Sequence, residues 1–376
     1  MKWNEKKHNE SSGTEIYHSD FDNKAEEISE KFYAYGKNNH LNIVLIGKTG
    51  AGKSTLINAI FGENMAITGV GKPITPKTEA FTSPTNPNFK IYDTKGIELS
   101  EPDKAFNEVS KLIISKQKTR DTGDDIDFIF YCIATTDARV QDFDIKLVKR
   151  LINKTSVPVV VVLTKSIDED ETKQMKVELD KENISVAAVN SVPKKTKAGE
   201  IESYGIEELV DYVYKNIENT RSKIEFAKMQ KASLKTKKDS ALVAIHTASV
   251  ASGAVGAIPI PGADAPLIVI TQLGMLTSIN SIFDIKVSDG FLKDILLDVL
   301  AANLGKAAAK ALIKLIPVAG EVIDAGVAIA FTETLGFGYL NLLLKYPNIL
   351  EIGKSLPPEF LEYLKEEIKN INFKKH

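Results

Sequence analysis

The chain has 376 residues, 43% of them hydrophobic and 26% charged, which is the composition of a folded globular protein and leaves room for two domains. Its 48 basic and 50 acidic residues nearly cancel, which argues against DNA or RNA as a partner. The single cysteine, Cys132, excludes an internal disulfide framework, and no apolar segment of a secretory signal follows the charged amino terminus. We therefore expect a cytoplasmic protein in which Cys132 is a small buried hydrophobe.

Residues 1–39 are predicted to be a polar segment with a short helix over 22–35. From residue 40 to residue 220, strand-like and helix-like segments alternate, as in a mostly parallel sheet with helices on both faces. This pattern predicts an α/β domain. Its predicted strands are Leu41–Ile46, Phe89–Tyr92, Asp127–Ala134, Pro158–Leu163 and Ile184–Val189. Its predicted helices are Lys53–Phe61, Asp103–Lys118, Val140–Asn153, Glu169–Lys181 and Ile206–Met229.

The segment between the first strand and the first helix fits the phosphate-binding loop G-x-x-x-x-G-K-[ST] over 47–54. Its glycines let backbone N–H groups turn toward phosphate oxygens, and the following helix amino terminus favours negative charge. Lys53 is predicted to reach the β- and γ-phosphates, and the Ser54 hydroxyl to hold Mg²⁺. The predicted phosphate-binding residues are Lys48, Thr49, Gly50, Ala51, Gly52, Lys53, Ser54 and Thr55.

Two further segments are predicted to complete the phosphate side of the site. Asp93 ends a strand and is followed by Gly96, a spacing at which the carboxylate binds Mg²⁺ and the glycine amide meets the γ-phosphate. Residues 69–78, rich in glycine, proline and threonine, are predicted to form a mobile loop. Within it Thr75, or else Thr78, is expected to join the Mg²⁺ shell when the γ-phosphate is present.

The base side of the site is less clearly specified. Thr164 and Lys165 follow a strand at the place where guanine-binding proteins carry N-K-x-D, but Ile167 occupies the position of the base-reading aspartate and Asp168 comes one residue later. Lys165 is expected to lie along the base, while Asp168 either pairs with guanine or only caps the next helix. Asn190 and Ser191 follow the last strand, where a backbone amide would contact the base, or form an ordinary turn.

Together these motifs resemble the translation-factor-related GTPases of the group around Era and TrmE. The resemblance implies GTP and GDP as ligands, Mg²⁺ as cofactor and hydrolysis of GTP to GDP and phosphate. Besides the base-binding motif, two further positions depart from it. Gly50 stands where relatives often carry an asparagine linked to potassium activation, and Ile97 follows Gly96 where Ras-like enzymes place a water-orienting glutamine. Lys53 and Thr75 are the predicted catalytic residues, and slow turnover is expected without a partner.

Residues 221–376 are predicted to form an all-α domain. Two stretches, 240–263 and 265–283, contain no charged residue, and Pro/Gly turns at 258–264 and 316–321 resemble each other, which predicts two helical hairpins. Residues 357–376 read as an amphipathic helix. This half resembles the helical domain of unknown function appended to some bacterial Era-like GTPases, and the whole arrangement resembles the immunity-related GTPases of animals.

Three arrangements of the apolar stretches stay open: a soluble bundle, reversible membrane contact through 221–283, and a spanning helix. Prolines and glycines end the first stretch near Val255, short of the ~20 residues of a span, which favours the bundle. A basic run over 221–238 either attracts anionic lipid or is the solvated face of a helix.

The function predicted from the sequence is a GTPase switch that controls its helical domain through a homodimer across the nucleotide or through membrane contact. Three alternatives are a nucleotide-gated scaffold or membrane-associated assembly protein with little turnover, an ATPase, and an RNA or ribosome-assembly GTPase. The missing aspartate at Ile167 motivates the ATPase. The near-zero net charge and the absence of an RNA-binding module weigh against the last.

Overall fold

The computed structural model describes residues 39–62, 72–75, 78–83, 86–94, 102–117, 124–196, 199–256, 264–285, 292 and 325–345. The chain divides into two compact units, Asn38–Ser240 and a second made of Met1–Lys37 with Ala241–His376. The predicted amino-terminal helix, both Pro/Gly turns and the carboxy-terminal helix lie outside the described residues.

The first unit is built on a seven-stranded sheet whose order is β2-β3-β4-β1-β5-β6-β7. The five neighbouring strands β4, β1, β5, β6 and β7 run parallel to one another, and β3 and β2 add antiparallel to β4 at one edge. The strands are β1 (Leu41–Ile46), β2 (Lys72–Thr75), β3 (Thr78–Thr82), β4 (Phe89–Thr94), β5 (Phe128–Ala134), β6 (Val159–Thr164) and β7 (Val186–Ala188). A separate hairpin pairs β8 (Lys194–Thr196) with β9 (Gly199–Ile201).

Helices cover both faces of this sheet. Continuous apolar runs such as Val159–Thr164 are buried along their whole length, because each face is covered by its own hydrophobic cluster. On one face pack α2 (Pro102–Gln117), α3 (Asp142–Lys154) and α4 (Glu169–Lys181). On the other pack α1 (Lys53–Phe61), α5 (Ile206–Asn216) and α6 (Thr220–Met229). The predicted mostly parallel α/β fold is confirmed.

Two sequence predictions about elements were wrong. Residues 72–75 form β2 rather than part of a mobile loop, since an edge strand tolerates Pro73, which need not donate to a neighbour. The single helix predicted over Ile206–Met229 is two helices. Ile217 and Asn219 are extended, and the Asn219 side chain accepts hydrogen bonds from the N–H groups of Arg221 and Ser222, which starts α6.

The first compact unit extends beyond the boundary predicted at residue 220, because α6 packs on the sheet. The Phe226 ring lies edge-on to Phe61, with centroids 5.9 Å apart, and Phe61 in turn contacts Phe89 of β4. Asn86 also donates a hydrogen bond to Glu225. These contacts bury one face of α6 against β1, β4 and α1.

The described part of the second unit contains α8 (Asp264–Ile282), α9 (Ala325–Lys345) and the end of α7 (Leu234–Gly256). A Cβ atom on Gly336 would lie 2.7 Å from Ile245 and 2.9 Å from Met275, so the glycine allows the three helices to approach closely. Among the helices that the structure describes, none is long and apolar enough to cross a membrane.

Candidate functional site

The phosphate-binding loop leaves β1 at the carboxyl edge of the sheet and enters α1. The sheet grows from β1 toward β4 on one side and toward β5 on the other, so the loop lies at the point where the strand order reverses, the usual ligand position in such sheets. Gly47 has φ of +149°, and a Cβ atom there would lie 2.4 Å from the Cys132 carbonyl oxygen of β5. Only glycine therefore lets the loop begin this close to the neighbouring strand.

Lys53, the first residue of α1, is held inside the loop. Its side chain is 9% exposed, and its Nζ donates to the carbonyl oxygens of Gly47, at 2.9 Å, and Lys48, at 3.3 Å. The same ammonium lies 3.7 Å from the Asp93 carboxylate. The loop thus presents a positive charge next to the amino end of a helix, an arrangement that attracts phosphate.

Asp93 stands near the carboxyl end of β4, whose position is fixed by a hydrogen bond from the Thr94 hydroxyl to the Leu45 carbonyl at 2.8 Å. Asp93 and Ser54 line the same cavity. A carboxylate and a hydroxyl are hard oxygen donors, so they suit Mg²⁺ completed by phosphate oxygens and water. The described residues contain no cluster of three or more histidine, cysteine or acidic side chains able to hold a metal without such outside ligands.

One cavity brings together most of the predicted phosphate-binding residues and one residue from the base side. Lys48 is not among the lining residues, and its ammonium lies 3.4 Å from Asp137 at the surface. The residues lining the cavity are Thr49, Gly50, Ala51, Gly52, Lys53, Ser54, Thr55, Asp93 and Lys165.

Thr164 and Lys165 connect the end of β6 to the phosphate-binding loop. The Thr164 hydroxyl donates to the Ala51 carbonyl at 2.6 Å, and the Lys165 Nζ donates to the Gly50 carbonyl at 2.7 Å. Lys165 has φ of +53°, a left-handed conformation that is uncommon outside glycine. The two segments thus form one hydrogen-bonded unit around the cavity, with the Lys165 stem along its wall.

The other predicted base contacts have structural partners. The Asp168 carboxylate accepts a hydrogen bond from the Glu171 N–H at 2.9 Å and so caps α4. The Asn190 side chain donates to the Glu202 carbonyl at 2.9 Å, and the half-buried Ser191 follows it. None of these three lines the cavity described above. Their predicted contacts with the base stay predictions.

The remaining predicted site residues lie on the β2 side. Thr75 ends β2 and pairs with Thr78 at the start of β3. Gly96 and Ile97 fall outside the described residues. The predicted γ-phosphate contacts of Thr75 and Gly96 therefore stay predictions.

Cys132 lies beneath the phosphate-binding loop and is 2% exposed. Burial raises the pKa of its thiol to about 12, so the thiol is neutral at physiological pH. This agrees with its interpretation as a small buried hydrophobe rather than a reactive group.

Sequence reasoning missed two residues that hold the base side in place. The Thr135 hydroxyl, after β5, donates to the Lys165 carbonyl at 2.7 Å, and the Tyr204 hydroxyl donates to the Ser166 carbonyl at 2.7 Å. No motif or periodicity marks either residue, because their partners lie 30 and 38 positions away in the chain.

Residues 42–165, which contain this site, match the family described as 50S ribosome-binding GTPase. The chain is 28% identical over 174 residues to the tRNA modification GTPase MnmE of Clostridioides difficile, covering 46% of this chain and 34% of that protein. It is 34% identical over 145 residues to GTPase Era of Clostridium kluyveri, covering 38% and 45%. The match to GTPase Der of Brevibacillus brevis is 31% over 132 residues, covering 33% and 27%.

The chain thus spans less than half the length of each of these relatives. Among solved structures, the elongation factor SelB of Methanococcus maripaludis aligns at 18% identity over 48% of this chain and 35% of that one, with a TM-score of 0.29, too low to support a structural conclusion. The sequence match and the site geometry agree on the first unit, and the predicted resemblance is confirmed there: the chain contains a P-loop GTPase domain similar to those of Era and MnmE.

Proposed function

We propose that this protein is a Mg²⁺-dependent GTPase that hydrolyses GTP to GDP and phosphate and acts as a molecular switch. The observation that carries the proposal is the position of the Lys53 ammonium, which donates a hydrogen bond to the Gly47 carbonyl at 2.9 Å and lies 3.7 Å from the Asp93 carboxylate. A buried cation beside a helix amino terminus and a strand-end carboxylate matches what a nucleotide phosphate chain with its metal ion requires.

In this proposal the loop amides and Lys53 bind the phosphates, and Lys53 balances charge on the β- and γ-phosphate oxygens. Ser54 and Asp93 supply the protein oxygen ligands for Mg²⁺, which when bound neutralises phosphate charge during transfer. Lys165, whose stem lines the cavity, supports one face of the base. Backbone groups near Asn190 and Ser191 contact its edge.

Hydrolysis without a partner is expected to be slow. Asp93 is the single carboxylate among the residues that line the cavity, and we assign it to the metal, which leaves no lining carboxylate to act as a general base toward the attacking water. The missing group would come from the backbone, from a second copy of this chain or from another protein. A homodimer across the nucleotide therefore belongs to the proposal.

The switch itself is assigned to the segment around Thr75. We propose that Thr75 joins the Mg²⁺ shell with the γ-phosphate in place and leaves it after hydrolysis, and that the helical unit senses the change. In this proposal, the response of the helical unit includes contact of residues 221–283 with a membrane surface. The basic run there is partly neutralised, since Lys235 lies 2.7 Å from Asp211 and Lys228 lies 3.8 Å from Glu225.

The test is nucleotide binding by the purified, nucleotide-stripped full chain. We expect tight, Mg²⁺-sensitive binding of fluorescent GDP, and a loss of about 30-fold or more in Lys53→Met, since removing one partner of a buried charge pair costs about 2–5 kcal/mol. Lys48→Met is the matched control and is expected to stay within about threefold, because the Lys48 ammonium pairs with Asp137 at the surface. Equal loss in both variants, or no GDP binding, would contradict the proposal.

Phosphate release then tests turnover. Multiple turnovers of GTP, with and without liposomes, support the switch, whereas binding with negligible release under both conditions would favour a nucleotide-gated scaffold. An ATPase is the one alternative with structural support, because Asp168 is engaged as a helix cap and the described cavity lining has no acidic side chain on the base side. Preference for ADP over GDP in the same binding assay would favour it.

A further inference from the structure

Tyr204 connects the two chain segments to which base recognition is assigned. It lies between β9 and α5, and its backbone exchanges two hydrogen bonds with Asn190, both 3.0 Å long. Its hydroxyl crosses to the other segment and donates to the Ser166 carbonyl at 2.7 Å. The Asn190 side chain strengthens this link by donating to the Glu202 carbonyl at 2.9 Å. One tyrosine thus ties the end of β6 to the segment after β7.

The segment that Tyr204 holds contains a strained residue. Lys165 has φ of +53°, and a left-handed conformation in a residue with a side chain persists only where its surroundings impose it. The carbonyl of Lys165 is held by the Thr135 hydroxyl at 2.7 Å, and the N–H of Ser166 donates to the Val189 carbonyl at 3.1 Å. Tyr204 supplies the bond to the next carbonyl, so the strained turn is fixed on both sides.

The turn matters because Lys165 points its ammonium back to the phosphate-binding loop, 2.7 Å from the Gly50 carbonyl, and lines the cavity. If the turn relaxed, the Lys165 stem and the neighbouring backbone would leave the plane against which a base must lie. Tyr204 does not line the cavity, and the residue to which its hydroxyl donates, Ser166, does not line it either. The effect of Tyr204 on a ligand must therefore pass through the Ser166 carbonyl.

We propose that Tyr204 is a positioning residue for base recognition, which holds the Lys165–Ser166 turn in the conformation that discriminates the base. This inference rests on the proposed nucleotide-binding function. It assigns part of the specificity to a side chain outside the recognised motifs, since supporting hydrogen bonds determine how sharply a binding group is placed.

The test uses Tyr204→Phe, which removes only the hydroxyl. Tyr212→Phe on α5 is the matched control, because the Tyr212 side chain packs against the core and its hydroxyl makes no hydrogen bond to another described residue. Dissociation constants for GDP and ADP, and kcat and KM for GTP hydrolysis, are measured on both variants and on the wild-type chain. We expect Tyr204→Phe to reduce the preference for GDP over ADP about three- to tenfold, the effect of one neutral hydrogen bond.

The same variant should raise KM for GTP by a similar factor and leave kcat within about twofold, because the hydrogen bond that holds Lys53 in the phosphate-binding loop is untouched. A merely structural role would lower the melting temperature without changing the GDP to ADP ratio of the folded protein. Thr135→Val, which removes the neighbouring bond to the Lys165 carbonyl, is the second variant and should shift the ratio in the same direction.

The outcomes separate the two proposals. Wild-type preference for GDP with an unchanged ratio in Tyr204→Phe and Thr135→Val would overturn the positioning role and leave the GTPase proposal standing. Absence of guanine nucleotide binding by the wild-type chain would overturn both.

Discussion

Replacing Asp168 by asparagine or by alanine separates a helix-capping role from a base-binding role. The Asp168 carboxylate accepts the Glu171 N–H at 2.9 Å, which satisfies one of the unpaired donors at the start of α4. Asparagine caps helices about as well as aspartate, whereas alanine costs about 1 kcal/mol. We therefore expect Asp168→Ala to lose about 1 kcal/mol of unfolding free energy and Asp168→Asn to lose a few tenths at most.

Nucleotide binding then distinguishes the roles. Because Asp168 does not line the described cavity, we expect both variants to bind GDP within about twofold of the wild-type chain. The assays are urea unfolding and the dissociation constants for GDP and for xanthosine diphosphate (XDP). A carboxylate that pairs with guanine accepts hydrogen bonds from its N1 and N2 groups, and the amide in Asp168→Asn would favour xanthine instead. A fall of about tenfold or more in GDP affinity with a gain for XDP, at unchanged stability, would refute the assignment of Asp168 to the cap alone.

Two other predictions concern the framework of the site. Gly47→Ala should lose about 2–4 kcal/mol of unfolding free energy, measured in urea, since its Cβ would lie 2.4 Å from the Cys132 carbonyl oxygen. Gly50→Ala is the control and should lose less, because Gly50 also has a positive φ but its added Cβ would have no atom within 4 Å. Equal losses in the two variants would contradict this reasoning. Asp127 accepts the Asn42 N–H at 2.8 Å, and burial raises its pKa from 3.8 to about 7. The folded chain therefore binds this proton more tightly than the unfolded chain. The unfolding free energy of the wild-type chain should fall as the pH rises from about 4 to about 7, by at most about 4 kcal/mol. Asp127→Asn has no proton to lose at this position and should lack this pH-dependent loss. If urea unfolding shows the same loss of stability with pH in the two proteins, the pH dependence does not come from Asp127.

Local sequence was sufficient for the elements that carry the phosphate side of the site. The apolar run Leu41–Ile46, the glycine pattern after it and the apolar periodicity of Lys53–Phe61 predicted β1, the loop and α1 with the observed boundaries. Each of these signals lies within one short stretch of chain, where strand period, turn chemistry and helix period are directly readable. The strand end at Asp93 was also predicted from local pattern, although β4 continues to Thr94.

Tertiary structure decided what local pattern could not. Residues 72–75 carry proline and threonine and read as a loop, and they become a strand because β3 offers them a partner at the sheet edge. The apolar periodicity continues from residue 206 to residue 229, yet the helix breaks where Asn219 caps a new helix whose Phe226 packs against Phe61. In both places the neighbour in space outweighed the local preference.

The sequence by itself determined the α/β class, the position of the phosphate-binding loop and the candidate metal ligands Ser54 and Asp93, because these depend on short motifs and on hydrophobic period. Only the tertiary structure showed how the segments on the base side are held, while their contacts with a base stay predictions. It assigned the Asp168 carboxylate to a helix cap and brought the hydroxyls of Thr135 and Tyr204 to the Lys165–Ser166 turn. The hydrogen bonds of Thr135 and Tyr204 join residues 30 and 38 positions apart in the chain, and they form only after the parallel strands have brought their carboxyl ends to one edge of the sheet.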